Sequence, residues 1–234
     1  LFVTDEFAAP PVILRVNDSV IGTLGNFSAS TGKAKSKKTF NVCAIVAAAM
    51  TGGTVLNYSA SLPPERRRVL YVDTEQSRFH CKRVLCRILR LAGLPTDAHP
   101  PLLEFLCLRG YATKERLRKI EEAIYDLDDL GLVVIDGIRD LAHDINSPGE
   151  ATDLITKLMQ WTDERRIHIH TVLHLNKGDD NTRGHLGTEL NNKAETVLQI
   201  TKDDFDRDIS SVAAMHIRDR DFEPFAFRIN ANAL

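Results

Sequence analysis

The sequence predicts an α/β protein with a doubly wound, mainly parallel sheet that carries helices on both faces and ends in antiparallel strands. Short apolar runs of β character alternate along the chain with longer segments whose apolar residues recur every three to four positions. Strands that alternate with helices imply parallel crossover connections. In the last third, three further β-type runs follow one another with only short acidic turns between them, which indicates antiparallel strands added to the parallel sheet.

The predicted elements follow in order along the chain. Residues 1–25 form a lead-in with one short strand at 12–16, and residues 26–234 form the main domain. The apolar runs predict strands at 26–30, 69–73, 103–108, 132–136 and 167–175. Helical periodicity predicts helices at 38–51, 77–92, 114–127 and 150–165, the third of them with Thr113 as its N-cap. The tail strands are predicted at 196–201, 211–217 and 225–229.

The composition suits one globular domain of this class. With 234 residues, 43% of them hydrophobic, the chain can build a core without disulfides or metals. No apolar run reaches the roughly 20 residues that a bilayer-spanning helix needs, so no membrane partner is expected. The net charge of −2 disfavours a generally basic surface that coats nucleic acid. The four cysteines lack metal-ligand spacing, which predicts a reduced, cytoplasmic protein.

The segment GKAKSKKT follows an apolar strand and opens a helix. Its spacing is that of the phosphate-binding loop G-x-x-x-x-G-K-[ST], except that Lys37 stands at the second glycine. In such a loop, backbone N–H groups and the helix N-terminus surround the phosphates, Lys38 reaches the β and γ oxygens, and Thr39 supplies a hydroxyl to Mg²⁺. ATP and Mg²⁺ are therefore the expected cofactors, with nucleotide bound by Gly32, Lys33, Ala34, Lys35, Ser36, Lys37, Lys38 and Thr39. The alternative is a solvated run of lysines before a helix, because lysine reaches a glycine backbone angle less easily.

Two later strands end in carboxylates. The run LVVID ends in Asp136, which a parallel sheet places at the carboxyl edge where such folds bind their ligands. Asp136 is predicted to hold Mg²⁺ through water, and a loop-capping aspartate is the alternative. Beyond the run VLYVD, Glu75 can orient or deprotonate the water that attacks the γ-phosphate. Glu75 is the predicted base, Asp73 is its competitor, and a Glu75 that only caps the next helix is the alternative.

The order of loop lysine, strand-end glutamate and strand-end aspartate resembles that of the RecA-like ATPases. The segment TVLHLNK, the glycine-containing polar loop at 178–187 and the run ETVLQI make the chain similar to the core of hexameric DnaB-type helicases and their RepA-like plasmid relatives, over residues 12–229. The resemblance implies that His174 senses the γ-phosphate. It also implies that a loop faces single-stranded DNA, with Lys177, Arg183 and His185 as its basic residues.

In those hexameric relatives, a basic residue in the last segment reaches the γ-phosphate of the neighbouring subunit. By position in the segment HIRDRDFEPF, this residue would be Arg218, with Arg220 as second choice. The alternative is a solvated turn in which the arginines pair with neighbouring aspartates, which contributes little to stability. For His174 the alternative is a structural residue whose hydrogen bonds are satisfied inside the fold.

The expected function is that of an ATP-hydrolysing motor. It would be a RecA-like domain that assembles with its own copies, as a hexameric ring, and translocates on or unwinds DNA in plasmid or mobile-element replication. Catalysis is assigned to Lys38, Glu75, His174 and Arg218, and metal binding to Thr39 and Asp136. The main alternative is a nucleotide-dependent DNA-binding or regulatory module without unwinding activity. A kinase or other phosphoryl transferase is the third hypothesis, although the sequence offers no recognisable lid or acceptor pocket.

Overall fold

A computed structural model describes residues 1–175, 182 and 184–230 of the chain. The strands, in chain order, are β1 (Val12–Val16), β2 (Ser19–Thr23), β3 (Phe27–Gly32), β4 (Thr54–Val55), β5 (Tyr58–Ala60), β6 (Arg68–Asp73), β7 (Leu103–Cys107), β8 (Leu130–Asp136), β9 (His168–His174), β10 (Thr196–Lys202), β11 (Ile209–Ile217) and β12 (Phe225–Arg228). The α-helices are α1 (Lys38–Thr51), α2 (Arg78–Leu91), α3 (Thr113–Asp126), α4 (Pro148–Arg165) and α5 (Gly184–Lys193).

Eight of the described strands form one large sheet, in the order β12-β11-β10-β3-β9-β8-β6-β7. The pairs from β10 through β7 are parallel, whereas β11 pairs antiparallel with β10 and β12 antiparallel with β11. The predicted fold class is therefore confirmed. Because β3 lies near the middle of the sheet, the loop that follows it is flanked by the ends of β9 and β10.

Helices cover both faces of this sheet because side chains alternate along its buried strands. On β6, Val69 and Tyr71 point to one face, and Leu70 and Val72 point to the other. The first face packs against α1 and α2, and the second against α3, α4 and α5. Strands buried on both sides explain the nearly continuous apolar runs in the sequence. None of the helices described here has the length and apolar character needed to cross a membrane.

A second, smaller sheet packs against α1. It consists of β1, β2, β4 and β5, in the order β2-β1-β5-β4. Every residue from Val42 to Met50 of α1 is buried, since this helix contacts strands of both sheets. The predicted strand at 12–16 is present as β1, and it pairs with β5 as well as β2. The division of the chain at residue 25 stays a prediction.

Some elements differ from the sequence prediction. The end of the predicted polar loop is helical, because α5 begins at Gly184 and buries Leu186 and Leu190. β10 is parallel to β3 and so belongs to the parallel part of the sheet, not to an antiparallel tail. Thr113 is not the N-cap of α3: that position is Ala112, whose N–H donates to Glu115 Oε2 at 3.3 Å. The strands β2, β4 and β5 are absent from the sequence prediction: β4 and β5 have only two and three residues, too few to show a period, and Gly22 interrupts the apolar run of β2.

A chain of polar side chains joins β3 to β9 inside the core. His168 Nδ1 donates to the Thr23 carbonyl at 2.9 Å, so its Nε2 accepts the Ser28 hydroxyl at 2.7 Å. Ser28 then accepts from His170 Nδ1 at 2.8 Å, and His170 Nε2 accepts the Ser30 hydroxyl at 2.8 Å. Both histidines are fully buried. Each ring is neutral in this arrangement and is bonded to serine, which leaves neither ring nitrogen free for a metal ion.

We predict that this chain of hydrogen bonds makes the protein less stable as the pH falls. Burial lowers the pKa of both histidines, that of His170 to about 3 from an ordinary value of 6.5. Between these values the unfolded chain binds protons that the folded chain does not, so the free energy of unfolding decreases as pH falls. His170 contributes up to about 1.4 kcal/mol per pH unit in that range, and His168 acts in the same direction.

Urea denaturation at about pH 7.5 and about pH 5.5 measures this effect. Between these two pH values, the free energy of unfolding should decrease less in His170→Gln than in the wild type. In the exposed control His99→Gln it should decrease as much as in the wild type. An equal decrease in the wild type and in His170→Gln would contradict the prediction.

Candidate functional site

The segment from Gly32 to Thr39 forms a tight loop between β3 and α1. A side-chain carbon at Gly32 would lie 2.3 Å from the Ile200 carbonyl oxygen, so only glycine fits there. Lys37 adopts the left-handed conformation, with φ 72° and ψ 26°. This is the conformation that the glycine of the usual motif reaches without strain, and lysine adopts it at a cost of about 1–2 kcal/mol. Lysine therefore replaces the usual glycine at position 37, but the backbone keeps the left-handed conformation that the motif requires.

The ammonium group of Lys38 is buried in this loop. The residue is 5% exposed. Its Nζ donates to Gly32 O at 2.8 Å, to Lys33 O at 2.9 Å and to His174 Nδ1 at 3.1 Å. Burial lowers the pKa of Lys38 to about 8. The three acceptors solvate the positive charge without neutralising it, which favours an anion beside it.

Thr39 and Asp136 meet at the start of α1. The hydroxyl groups of Thr39 and Tyr71 both donate to Asp136 Oδ2, each at 2.9 Å. Asp136 ends β8, and the strand register places it beside Asp73 of β6. Burial, together with repulsion from Asp73, raises the pKa of Asp136 to about 6. A divalent cation would relieve this repulsion, and hydroxyl and carboxylate oxygens are ligands that Mg²⁺ prefers.

Asp73 and Glu75 have different surroundings. Asp73 is fully buried, and its Oδ1 accepts the N–H groups of Glu75 at 3.0 Å and Gln76 at 2.7 Å, so it holds the turn after β6. The Glu75 side chain is 43% exposed, and its Oε1 lies 3.7 Å from His174 Nε2. The neighbouring His174 imidazole lowers the pKa of Glu75 and keeps the carboxylate ionised. Of the two carboxylates, Glu75 is the one that lines the cleft.

His174 lies between Lys38 and Glu75. Its Nδ1 accepts from Lys38, which leaves the proton on Nε2, the nitrogen that faces Glu75. The helix-capping alternative for Glu75 does not match the structure, since Ser77 is the N-cap residue of α2. The roles predicted for these side chains remain predictions, but Lys38, Thr39, Glu75, Asp136 and His174 all line one cleft.

The cleft has a volume of about 500 Å³ and is also lined by basic side chains that lie outside the sequence motifs. His80, Arg83 and Arg87 of α2 line it, and so does Lys202 at the end of β10. The guanidinium carbon of Arg87 lies 3.7 Å from the ring centroid of Phe40. The sequence does indicate that these side chains belong together, because residues 80, 83 and 87 are spaced so that they lie on one face of a helix.

These residues fit a nucleoside triphosphate with Mg²⁺. No acidic residue lies in the first turn of α1 and no side chain caps it, so its N–H groups are available to phosphate oxygens. Within the described part of the chain, the Ser36 hydroxyl is buried and has no hydrogen-bond partner, and a buried hydroxyl favours a ligand that provides one. Lys38 would contact the phosphates, and Thr39 and Asp136 would hold the cation.

The two candidate arginines lie away from this cleft. Arg218 follows β11, and the register pairs Ile217 with Thr196 at the start of β10. Arg218 is therefore at the amino edge of the parallel strands, opposite the edge that carries the phosphate-binding loop. Its guanidinium donates to the Lys193 carbonyl at 3.2 Å. Arg220 pairs with an aspartate of the β1–β2 turn at 3.4 Å, and both side chains of this pair are exposed.

Of the three basic residues predicted to face DNA, one lies in the described part of the chain. His185 lies on α5 and is exposed. Lys177 and Arg183 lie outside the described residues. The assignment of this segment to DNA binding therefore stays a prediction.

The fold and the cleft together define a RecA-like P-loop protein. Residues 3–180 match the sequence profile of a family described as an AAA domain. Because this match covers more than half of the chain, the chain belongs to this family of ATPases. A comparison with curated protein sequences finds no match.

Among solved structures, the chain is similar to the crystal structure of the RadB recombinase. The TM-score is 0.62, and the aligned part covers 88% of this chain and 88% of the recombinase chain. The sequences are 16% identical, so the likeness establishes a shared fold and not a shared activity. The RecA-like expectation is confirmed at the level of fold and family. The DnaB-type helicase subtype remains a prediction.

We predict that nucleotide binding takes up a proton and weakens as the pH rises above about 8, the value to which burial lowers the pKa of Lys38. Above that pH the free protein holds Lys38 neutral, whereas the bound phosphates favour the charged form, so part of the binding energy is used to protonate it.

Calorimetric titration with an ATP analogue near pH 8.5, in two buffers of different ionisation enthalpy, measures the proton uptake. The exposed lysine Lys82 offers a control, since Lys82→Ala should bind with the same uptake as the wild type. Equal heats in both buffers would contradict the prediction.

Proposed function

We propose that this chain is the ATP-hydrolysing motor domain of a ring-forming assembly that translocates on or unwinds DNA, in plasmid or mobile-element replication. The observation that carries the proposal is the convergence of a buried lysine, a hydroxyl–carboxylate pair and an ionised glutamate on one cleft. Phosphoryl transfer to water needs a cation at the phosphates, ligands for Mg²⁺ and a group that activates the water. Membership of an ATPase family supports the first part of this assignment.

Each side chain has a stated role in the proposed hydrolysis. Lys38 binds the β and γ oxygens, and Thr39 and Asp136 hold Mg²⁺. Glu75 orients a water molecule and accepts its proton as the water oxygen bonds to the γ-phosphorus. The bond between that phosphorus and the bridging oxygen breaks, and ADP and phosphate leave. A carboxylate that stays ionised, as Glu75 does beside His174, is the form that can accept this proton.

His174 is proposed to sense the γ-phosphate through Lys38. In the structure its Nδ1 accepts from Lys38 Nζ at 3.1 Å, and its Nε2 faces Glu75 at 3.7 Å. A phosphate that attracts the Lys38 ammonium would weaken the first contact and leave the second. His174 ends β9, so this change would reach the segment that follows, which is the proposed site of contact with single-stranded DNA.

Arg218 is proposed to act on the nucleotide of a neighbouring subunit. Its place at the amino edge of the sheet separates it from the loop of its own chain, and it is exposed there. A cation contributed from a second chain would stabilise charge that develops on the γ-phosphate, and it would make hydrolysis depend on assembly. This dependence is the reason to expect a homo-oligomer, and a hexameric ring is the proposed form.

A nucleotide-dependent module that assembles on DNA without unwinding it is the second candidate. The fold likeness to the RadB recombinase supports a recombinase-like variant of this candidate. Lys37 also favours it, because this chain departs there from the glycine of the usual phosphate-binding loop. ATP turnover without strand displacement, measured on a forked duplex with single-stranded arms, would favour the module over the helicase.

We predict that Glu75→Gln lowers the rate of ATP hydrolysis by about 10²- to 10⁴-fold, because glutamine cannot accept the proton of the attacking water. Nucleotide affinity should change little, since Glu75 acts on the water and Lys38 on the phosphates. Phosphate release is measured with and without single-stranded DNA, and affinity is measured by titration with a fluorescent ATP analogue.

The exposed glutamate Glu65 supplies the matched control Glu65→Gln, which should hydrolyse ATP like the wild type. Lys38→Ala should lose affinity and hydrolysis together. If Glu75→Gln hydrolyses ATP at the wild-type rate, Glu75 is not the base.

We predict that a mixture of Lys38→Ala and Arg218→Ala chains regains hydrolysis that neither variant shows alone. In a mixed assembly, an Arg218→Ala subunit keeps an intact loop and receives Arg218 from a Lys38→Ala neighbour. The rate of phosphate release is measured as the two variants are combined at constant total concentration.

Lys38→Ala mixed with Glu75→Gln is the matched control. Both changes affect the same cleft, so no combination of these two chains contains an intact site, and no recovery is expected. Absence of recovery in the first mixture would argue against a role for Arg218 across a subunit boundary.

A further inference from the structure

The hydroxyl group of Thr74 joins the turn after β6 to the turn after β8. Thr74 is 1% exposed. Its Oγ1 accepts the Gly137 N–H at 3.0 Å and lies 2.9 Å from the Gly137 carbonyl oxygen. The Thr74 N–H donates to the Asp136 carbonyl at 2.9 Å. One buried threonine thus bonds both polar backbone groups of Gly137 and is anchored to the residue before it.

Gly137 in turn packs directly against the proposed base. A side-chain carbon at Gly137 would lie 2.9 Å from Glu75 Oε1 and 3.4 Å from the Val172 carbonyl oxygen. The glycine backbone therefore forms the surface on which the Glu75 carboxylate rests. Its φ of −124° is open to any residue, so the need for glycine here is one of space.

The same hydroxyl proton has a second acceptor, Asp140. Asp140 Oδ2 lies 3.1 Å from Thr74 Oγ1 and 3.7 Å from Arg116 Nη1. Arg116 also donates to carbonyl groups of the turn after β7, at Leu108 and Arg109, and to the Asp140 carbonyl. The turns after β6, β7 and β8 are thereby joined through two side chains, Thr74 and Arg116.

We infer that Thr74 is a positioning residue for hydrolysis: its hydroxyl holds Gly137 against the Glu75 carboxylate and so sets kcat rather than nucleotide affinity. The inference rests on the proposed role of Glu75 as base. The contacts of Thr74 are with the carboxylate side of the cleft and not with Lys38 or Thr39, so loss of its hydroxyl leaves the phosphate contacts in place. Displacement of a catalytic group by about 1 Å is enough to cost about 10²-fold in rate.

The test uses Thr74→Val, which keeps the side-chain shape and removes the hydroxyl. We expect kcat to fall by about 10- to 100-fold while the Kd for an ATP analogue stays within about twofold, and Thr74→Ser to restore most of the rate. Thr162→Val is the matched control, because Thr162 is equally buried and its hydroxyl bonds only α4 carbonyl groups among the described contacts. Equal losses of kcat in Thr74→Val and Thr162→Val, or no recovery in Thr74→Ser, would overturn the inference.

Gly137→Ala provides a second variant that keeps the Thr74 hydroxyl. Its methyl group would displace Glu75, so we expect the same pattern of reduced kcat with unchanged Kd. A Kd that rises together with the fall in kcat in both variants would assign them a general structural role and overturn the inference.

A double variant separates this inference from the proposed function. If Thr74 acts through Glu75, adding Thr74→Val to Glu75→Gln causes no further loss of kcat, whereas a multiplied loss overturns the role of Thr74. If Glu75→Gln alone hydrolyses ATP at the wild-type rate, the proposed base is wrong irrespective of the result with Thr74.

Discussion

The site depends on the contacts made by the buried ammonium group of Lys38. An ammonium group removed from water is unfavourable unless its protons are bonded and an opposite charge is near. Here two loop carbonyls and His174 accept its three protons, and the resulting geometry fixes the loop, the start of α1 and the end of β9 relative to one another. Glu75 and Asp136 supply negative charge nearby without contacting the ammonium. A phosphate group is the ligand that completes this balance, so the same contacts that order the loop also select for an anion.

The parallel sheet explains why residues far apart in sequence surround that charge. Its register pairs Gly32 with His174, and Asp73 with Asp136. Neighbouring parallel strands end at the same edge of the sheet, and each contributes to the cleft there: β3 through the loop that follows it, β6 through Glu75 in its turn, and β8 and β9 through their last residues, Asp136 and His174. Asp73 shows how the turns are kept in shape, since one oxygen of this buried carboxylate accepts two backbone N–H groups of the turn after β6 and the other accepts the Gln76 side-chain amide. The neighbouring glutamate is thus free to face the cleft.

The sequence predicts the structure best where a single local pattern is sufficient to define an element or a motif. The α1 boundaries agree with the prediction, and the loop, Glu75 and Asp136 were selected from strand-end positions that the structure brings together. What it could not predict depends on contacts between distant segments. The parallel pairing of β10 depends on α5, whose short apolar stripe lies within a polar stretch. The cleft residues of α2 are visible only once this helix is placed over the loop. The φ and ψ angles of Gly137 are open to any residue, and its approach to Glu75 leaves no room for a side chain.

Lys37 illustrates how this chain departs from the usual loop without losing the site. The residue adopts the left-handed conformation of the glycine that it replaces, and its Nζ lies 5.6 Å from the ring centroid of Phe40. Arg87 lies 3.7 Å from the same ring. Both side chains are thus placed for cation–π interactions with the Phe40 ring. Through Phe40, therefore, the strained turn of the loop is connected to α2, the helix that follows the turn carrying Glu75. The extra lysine adds positive charge to the wall of the cleft, whereas the Lys38 ammonium is buried against the loop carbonyls and His174.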